Sequence, residues 1–411
     1  MNIPAPNFLK RPAQRALLRL AGWRRAQLDA VTWIAITGSC GKTTTKEMFA
    51  TCLLGSYPGM KNAGSLNGLY AVARAILRTG RRHRFVIQEL GTLGPGQIAM
   101  MASLLKPQVG VITNIGLAHA GLLGGPEGIL REKTSLLQSL PPGGLAMLPR
   151  DDPAFEAMKE RVPSGVRLLT VALRGEADWR AEGPDPVRGE MDAVAGATGE
   201  RFHVRLPLPG RHNLANALFA IALARHFGIE AGTIIQALAA FRGDPLRWHE
   251  ETIAGVRVIN DAYNANPVSM RAALNTLAEL PVPGAKWLVL GAMADLGDIH
   301  RQEHLALGRF VAGGPWDGLI LVGAAGPLVA EGAIEAGFPG EKLFHAEAAQ
   351  AAAQLLAAHA QPGDTVLVKA MRAARLERII PCYRRATRRG RTAPFGFRAG
   401  KRSPPYQRLP G

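Results

Sequence analysis

Residues 34–46 read Ile-Ala-Ile-Thr-Gly-Ser-Cys-Gly-Lys-Thr-Thr-Thr-Lys. The run from Val31 to Ile36 that leads into them has the composition of a buried strand, and that signal stops at Thr37-Gly38. A helix pattern starts at Gly41-Lys42-Thr43. Strand, glycine loop, lysine and hydroxyl in this order make a phosphate cradle. Gly38 and Gly41 let backbone N–H groups around Ser39, Cys40 and Thr44 approach phosphate oxygens, Lys42 neutralises charge, and Thr43 offers a hydroxyl to Mg²⁺. The dipole of the following helix adds to the attraction. The common pattern G-x-x-x-x-G-K-[ST] requires glycine at position 36, where this chain has Ile36, so the loop is the narrower variant T-G-x-x-G-K-T-T-T. It predicts a bound nucleoside triphosphate. Cys40 is read as a loop position whose backbone binds, not as a nucleophile.

At 411 residues the chain is long enough for two or three domains, and 47% hydrophobic with 20% charged residues is ordinary globular composition. No apolar run reaches the length of a membrane span and no compact apolar signal core opens the chain, so the cytoplasm is the expected compartment. Three cysteines (Cys40, Cys52, Cys382) without paired spacing argue against a disulfide framework or a zinc site. The net charge of +17 is concentrated at the ends: residues 1–30 carry six Lys/Arg against Asp29, and residues 379–411 carry nine with no acid. The body is left near neutrality, which predicts no specific nucleic-acid partner.

Residues 1–30 read as a basic amphipathic segment that docks on the body or lies on a membrane surface. From 31 to 244, strands and helices alternate, with Phe85 to Leu90 and Val109 to Thr113 as further buried strands. Such alternation implies an α/β domain with a mostly parallel sheet, and ligands at the carboxyl ends of its strands. That rule puts Gly38, Glu89 and Asn114 at one edge. Residues 150–206 alternate more weakly, around Leu168 to Leu173 and Phe202 to Leu206, before an Ala-rich helix from Asn213 to Phe227. A second, Rossmann-like α/β domain is expected over 245–382, with strands at Val256 to Ile259, Trp287 to Leu290, Gly318 to Val322 and Thr365 to Val368. From Pro381 onward Arg, Pro and Gly dominate, which predicts a basic, disordered tail over 383–411.

Further segments fit the loop. Gln88-Glu89-Leu90-Gly91 places a carboxylate at a strand end, Thr113-Asn114-Ile115-Gly116-Leu117-Ala118-His119 closes the next strand with a histidine, and Arg131-Glu132-Lys133 follows on a helix. With L-P-G-R-H-N-L-A-N-A at 208–217, N-D-A-Y-N-A-N-P-V-S-M at 260–270, and G-A-M-A-D-L-G at 291–297 ahead of His304, the chain resembles the Mur ligases over about residues 31–380, most closely their MurF branch.

The resemblance implies an ATP-dependent ligase that joins a carboxylate to an amine. The carboxylate attacks the γ-phosphate to give an acyl phosphate, and the amine then displaces phosphate. It implies ATP and two Mg²⁺ ions: Lys42 on the β/γ-phosphates, Thr43 and Glu89 on one metal, His119 on the second. Lys133 matches a lysine that these enzymes often carbamylate, which would turn a metal-repelling ammonium into an anionic ligand; the alternative is an ordinary surface lysine. Asn216 would approach the base side of the nucleotide, Arg247 would reach the γ-phosphate on domain closure, and Asp261, Tyr263, Asn264 and Asn266 would line its other face.

The chain also departs from the family. The thirty residues before Val31 are too few for the folded domain of roughly a hundred residues that binds the UDP-sugar in these enzymes. Gly64-Ser65-Leu66-Asn67-Gly68 stands where the family has G-N-x-N-N, and Lys369-Ala370-Met371-Arg372 where it has K-G-S-R. These differences predict an intact ATP site with a non-standard acid and amine, small molecules or peptides, or a substrate presented by a partner protein. The alternatives are a cell-wall ligase whose substrate domain is supplied by another chain, a non-catalytic ATP-binding scaffold, and, from the basic ends alone, a nucleic-acid ATPase.

Overall fold

The computed structural model describes residues 12–390. The expected basic stretches at 1–11 and 391–411 lie outside them. The chain order is α1 (Pro12–Arg25), β1 (Thr32–Thr37), α2 (Lys42–Leu54), β2 (Gly59–Lys61), α3 (Leu69–Arg78), β3 (Phe85–Glu89), α4 (Gln97–Leu105), β4 (Val109–Ile112), α5 (Ala120–Leu123), α6 (Gly125–Thr134), β5 (Leu145–Pro149), α7 (Phe155–Lys159), β6 (Arg167–Ala172), β7 (Trp179–Asp185), β8 (Glu190–Ala195), β9 (Arg201–Arg205), α8 (Arg211–His226) and α9 (Ala231–Ala239). There follow β10 (His249–Ile253), β11 (Val256–Asp261), α10 (Pro267–Glu279), β12 (Lys286–Leu290), α11 (His300–Ala312), β13 (Gly318–Val322), α12 (Gly326–Glu335), β14 (Leu343–Ala346), α13 (Ala349–His359), β15 (Thr365–Lys369) and α14 (Ile379–Gly390).

The first nine strands form one sheet in the order β2-β3-β1-β4-β5-β6-β7-β8-β9. Pairing is parallel from β2 to β7, and β8 and β9 close the sheet antiparallel. β1 is central and apolar at nearly every position because both of its faces are covered. Ile34 and Ile36 face α2 and α8 in one core, while Trp33 and Ala35 face α3, α4 and α1 in another. The second sheet, β10-β11-β15-β12-β13-β14, is parallel apart from the β10–β11 hairpin. It buries Ile259, Leu288 and Leu367 against α10, α11 and α12, and Val258, Val289 and Val366 against α13 and α14. This is the mixed α/β fold read from the sequence. Among the described residues no helix is long and apolar enough to cross a membrane.

At the N-terminal end, α1 docks on the body. Ala21 and Leu28 are buried in the α3–α4 core, and the Arg25 guanidinium donates to the Leu105 and Lys106 carbonyls that end α4, at 2.6 and 2.8 Å. At the other end the expected disorder from 383 is corrected: α14 continues to Gly390. Its arginines look like a solvated tail, but Ile379, Ile380 and Tyr383 recur on one face and are buried against α13, which fixes the helix.

Candidate active site

β1 delivers Gly38 at φ +148°, and a side chain there would put its Cβ 1.9 Å from the Thr113 hydroxyl. Gly41 (φ +81°) opens α2 with no side-chain cap, so the first amides of the helix are free for an anion. The loop between them is shaped from the neighbouring strand: the Asn114 side-chain oxygen accepts from the Ser39 and Cys40 amides at 3.1 and 3.0 Å. Cys40 thus contributes backbone, and burial pushes its thiol pKa up, against a nucleophilic role. Gly38, Glu89 and Asn114 meet at one sheet edge, as the strand-end rule predicted.

Thr43 and Glu89 adjoin. The Thr43 hydroxyl donates to one Glu89 carboxylate oxygen at 2.7 Å, and Asn67 donates to the other at 2.8 Å. A hydroxyl beside a buried carboxylate, open to a cleft, fits Mg²⁺, which takes one or two protein oxygens and completes its shell from phosphate and water. Lys42 and Lys133 both donate to the Gly38 carbonyl, at 2.8 and 3.0 Å. Lys133 is 1% exposed, which removes the surface-lysine alternative. Burial, then the Lys42 charge, lower its pKa to about 7, against the opposing pull of Glu132.

His119 sits in the left-handed region (φ +62°) and pairs through Nδ1 with Asp295 of the second domain at 2.9 Å. Burial, then Lys42 and Lys133, lower its pKa, so its free nitrogen is a neutral donor suited to a metal. No three His, Cys, Asp or Glu side chains cluster as a closed metal cage among the described residues.

The second domain reaches the loop at several points. Arg247 donates to the Thr43 and Ser65 hydroxyls at 3.0 and 3.2 Å, and stacks over Tyr263 at 4.2 Å. Asn266 caps α10 and donates to the Ser39 carbonyl at 3.2 Å. Asp261 and Lys369, paired in register on β11 and β15, form an ion pair at 2.5 Å, and Lys369 also donates to the Asn264 carbonyl. Asn216, expected on the base side of the nucleotide, lines the cleft beside the phosphate loop: it accepts from Thr45 at 3.1 Å and occupies the space a Cβ on Gly41 would need. His304, in contrast, is structural, accepting from the Met293 amide at 3.1 Å. The cleft between the domains encloses about 520 Å³.

Sequence reasoning missed four residues here. Asp295 lay inside a quoted motif, but nothing in the motif names His119 as its partner. Ser65 appeared only as a departure from the family. Burial depresses the pKa of His212, beside Asp261 and Lys369, to about 4. Lys46, fully buried, donates to the Asn62 and Gly64 carbonyls and fixes the segment that carries Ser65 and Asn67.

Residues 36–224 match the Mur ligase middle domain, and residues 246–372 match the Mur ligase glutamate ligase domain. The UDP-N-acetylmuramoyl-tripeptide–D-alanyl-D-alanine ligase of Mycobacterium tuberculosis is 36% identical over 391 residues, 88% of this chain and 75% of the relative. MurF from Acinetobacter baumannii is similar in structure at a TM-score of 0.82 and 30% identity, covering 90% of this chain and 80% of that one. MurF from Thermotoga maritima in complex with ADP has a TM-score of 0.80 at 25% identity, covering 95% and 88%.

Proposed function

The chain belongs to the Mur ligase family, and on that premise we propose that it joins a UDP-muramoyl peptide carboxylate to the amine of a D-alanyl-D-alanine-type dipeptide. It is an ATP-dependent, amide-forming ligase of the MurF type. The carboxylate oxygen attacks the γ-phosphorus, the bond to the β-phosphate oxygen breaks, and ADP leaves. The amine then attacks the acyl carbon, the carbon–oxygen bond to phosphate breaks, and the nitrogen gives up a proton.

The protein's part is to position the reactants and balance their charge. The free amides from Gly41 onward and Lys42 hold the triphosphate, and Arg247 meets the end of the chain from the second domain. Thr43 and Glu89 would hold one Mg²⁺, which would supply positive charge to the transferring phosphate, and His119 with a carbamylated Lys133 would hold a second. For Lys133 to do so, its neutral amine takes up CO₂ and loses a proton. Burial and the adjacent Lys42 support that reading by disfavouring the ammonium. The observation that carries the function is the contact of Arg247 with Thr43, which brings a cation from the C-terminal domain onto the hydroxyl that opens the helix after the phosphate loop. The reaction belongs in the cytoplasm, where ATP is supplied.

Purified protein should release ADP only when acid and amine are both present. ADP release with nucleic acid alone, or none under any condition, overturns the reading. Enriched ¹³CO₂ should give a carbamate resonance that is absent from Lys133→Met.

A second reading keeps the chemistry and changes the substrates, or has a partner protein present them. It is favoured by Leu66 and Leu93, 60% and 71% exposed, beside Asn67 and Thr92 at the mouth of the cleft, and by Met371 on its wall. Replacing the muramoyl peptide by other carboxylic acids in the same assay separates the two.

A further inference from the structure

The inner side of α1 is consumed by the fold, through Leu17, Leu18 and Ala21. The outer side carries a separate apolar stripe, Ala13, Ala16, Leu20 and Trp23, spaced three, four and three residues apart and all exposed. Leu20 is 50% and Trp23 63% exposed. Exposed Arg15 and Arg19 flank the stripe. The positive charge continues on the next element. α1 packs on α3, and Arg24 donates to the Thr79 carbonyl at 2.9 Å, where α3 ends. From Leu69 to Lys106 the chain carries Arg74, Arg78, Arg81, Arg82, Arg84 and Lys106, all exposed, against a single acid, Glu89, which is buried in the active site. Among the described residues no carboxylate forms an ion pair with Arg74, Arg78, Arg81 or Arg82.

We propose that this face, α1 with the α3–β3 turn, docks the protein on an anionic phospholipid surface. α1 would lie in the plane of the interface, with Leu20 and Trp23 in the headgroup–acyl boundary and the arginines over the phosphates. A second copy of the chain is disfavoured as occupant, because two such faces would bring like charges together. Nucleic acid would use the arginines and stack on Trp23 but has no use for Leu20 and the alanines beside it.

The test is co-sedimentation of the full chain with vesicles of phosphatidylcholine alone and of phosphatidylcholine with phosphatidylglycerol. Binding is expected only with the anionic lipid, weakening as salt rises past about 0.15 M. The pair Arg78→Gln and Arg82→Gln should lower partitioning by about fivefold for each arginine removed. The pair Leu20→Ser and Trp23→Ser should lower it by at least about tenfold. All four positions are exposed, so the melting temperature should not move, and the arginine pair remains a test if the serine pair fails to fold. Undiminished binding by these variants would assign any lipid affinity to the basic ends and overturn the proposal. So would equal binding to neutral vesicles, or a DNA duplex that binds with the same arginine dependence and strips the protein from lipid.

Discussion

Replacing Arg247 by Met separates what this residue does for the fold from what it does for the reaction. In the structure its guanidinium holds the Thr43 and Ser65 hydroxyls and stacks on Tyr263, while its Nε is buried with no partner. Removing the guanidinium leaves no hydroxyl stranded, because Thr43 and Ser65 lie 2.9 Å apart and Thr43 keeps Glu89. The lost stacking costs about 0.5–2 kcal/mol. Eliminating the unpaired Nε returns about 1–3 kcal/mol, so the melting temperature should hardly change. Transition-state charge is another matter: loss of one preorganised donor of this kind lowers kcat by about 10²–10³-fold. The assay is ADP release at saturating substrates, with calorimetric titration of ADP and of a non-hydrolysable ATP analogue. If the γ-phosphate alone meets the guanidinium, as proposed, ADP affinity should stay within about threefold of the parent and analogue affinity should fall by about tenfold or more. A kcat loss under about tenfold, or equal losses for both nucleotides, would refute the placement of Arg247 on the γ-phosphate.

Gly41→Ala combines a positive φ with a Cβ 2.5 Å from Asn216, so nucleotide binding should be lost with a destabilisation of about 1–3 kcal/mol, read by calorimetry and urea melts. Lys42→Ala should abolish turnover, and retained ADP release would remove the role given to the loop. Asp295→Ala takes away the carboxylate whose charge and hydrogen bond raise the His119 pKa, so the His119 titration followed by NMR should move to lower pH, with a larger radius of gyration if the domains part. His212 titrates near 4 when folded, against 6.5 for the free side chain, so the unfolded state binds more protons between these values. Stability therefore falls as pH drops from 6.5 towards 4, by at most about 3 kcal/mol from this group, and His212→Gln should flatten that slope in urea melts.

Where the local sequence dictated structure, the reading and the fold agree. β1, the loop and α2 form one continuous signal, and β3, β4, β12 and β13 are short apolar runs ended by polar or glycine residues. β7 gave no such signal, because its Trp-Arg-Ala-Glu-Gly-Pro-Asp sequence becomes a strand through pairing with β6 at its start and with β8 along its length, with an irregularity between Glu182 and Asp185. β2 is three residues long and held by β3 alone. At the site, the residues on strand ends and in the loop were legible because topology gathers them. The resemblance brought residues of the second domain to the site but not their partners: Arg247 and Thr43 are 204 positions apart, and His119 and Asp295 are 176 apart. Residues 1–30 were read as basic and amphipathic, but charge averaged over the body hid the arginines on α3 and the turn after it that extend that face.

The domains also touch where neither has a side chain. A Cβ on Gly121 would lie 2.4 Å from the Gly297 Cα, and one on Gly297 would lie 2.5 Å from the Gly121 Cα. Backbone on backbone leaves no rotamer to yield, so the domains cannot come closer at this point without moving main chain. A single methyl group at either position would push the two domains apart here and move the C-terminal jaw, with Arg247 and Asn266 on it, away from the phosphate loop. At this point the approach of the two halves is limited by bare backbone.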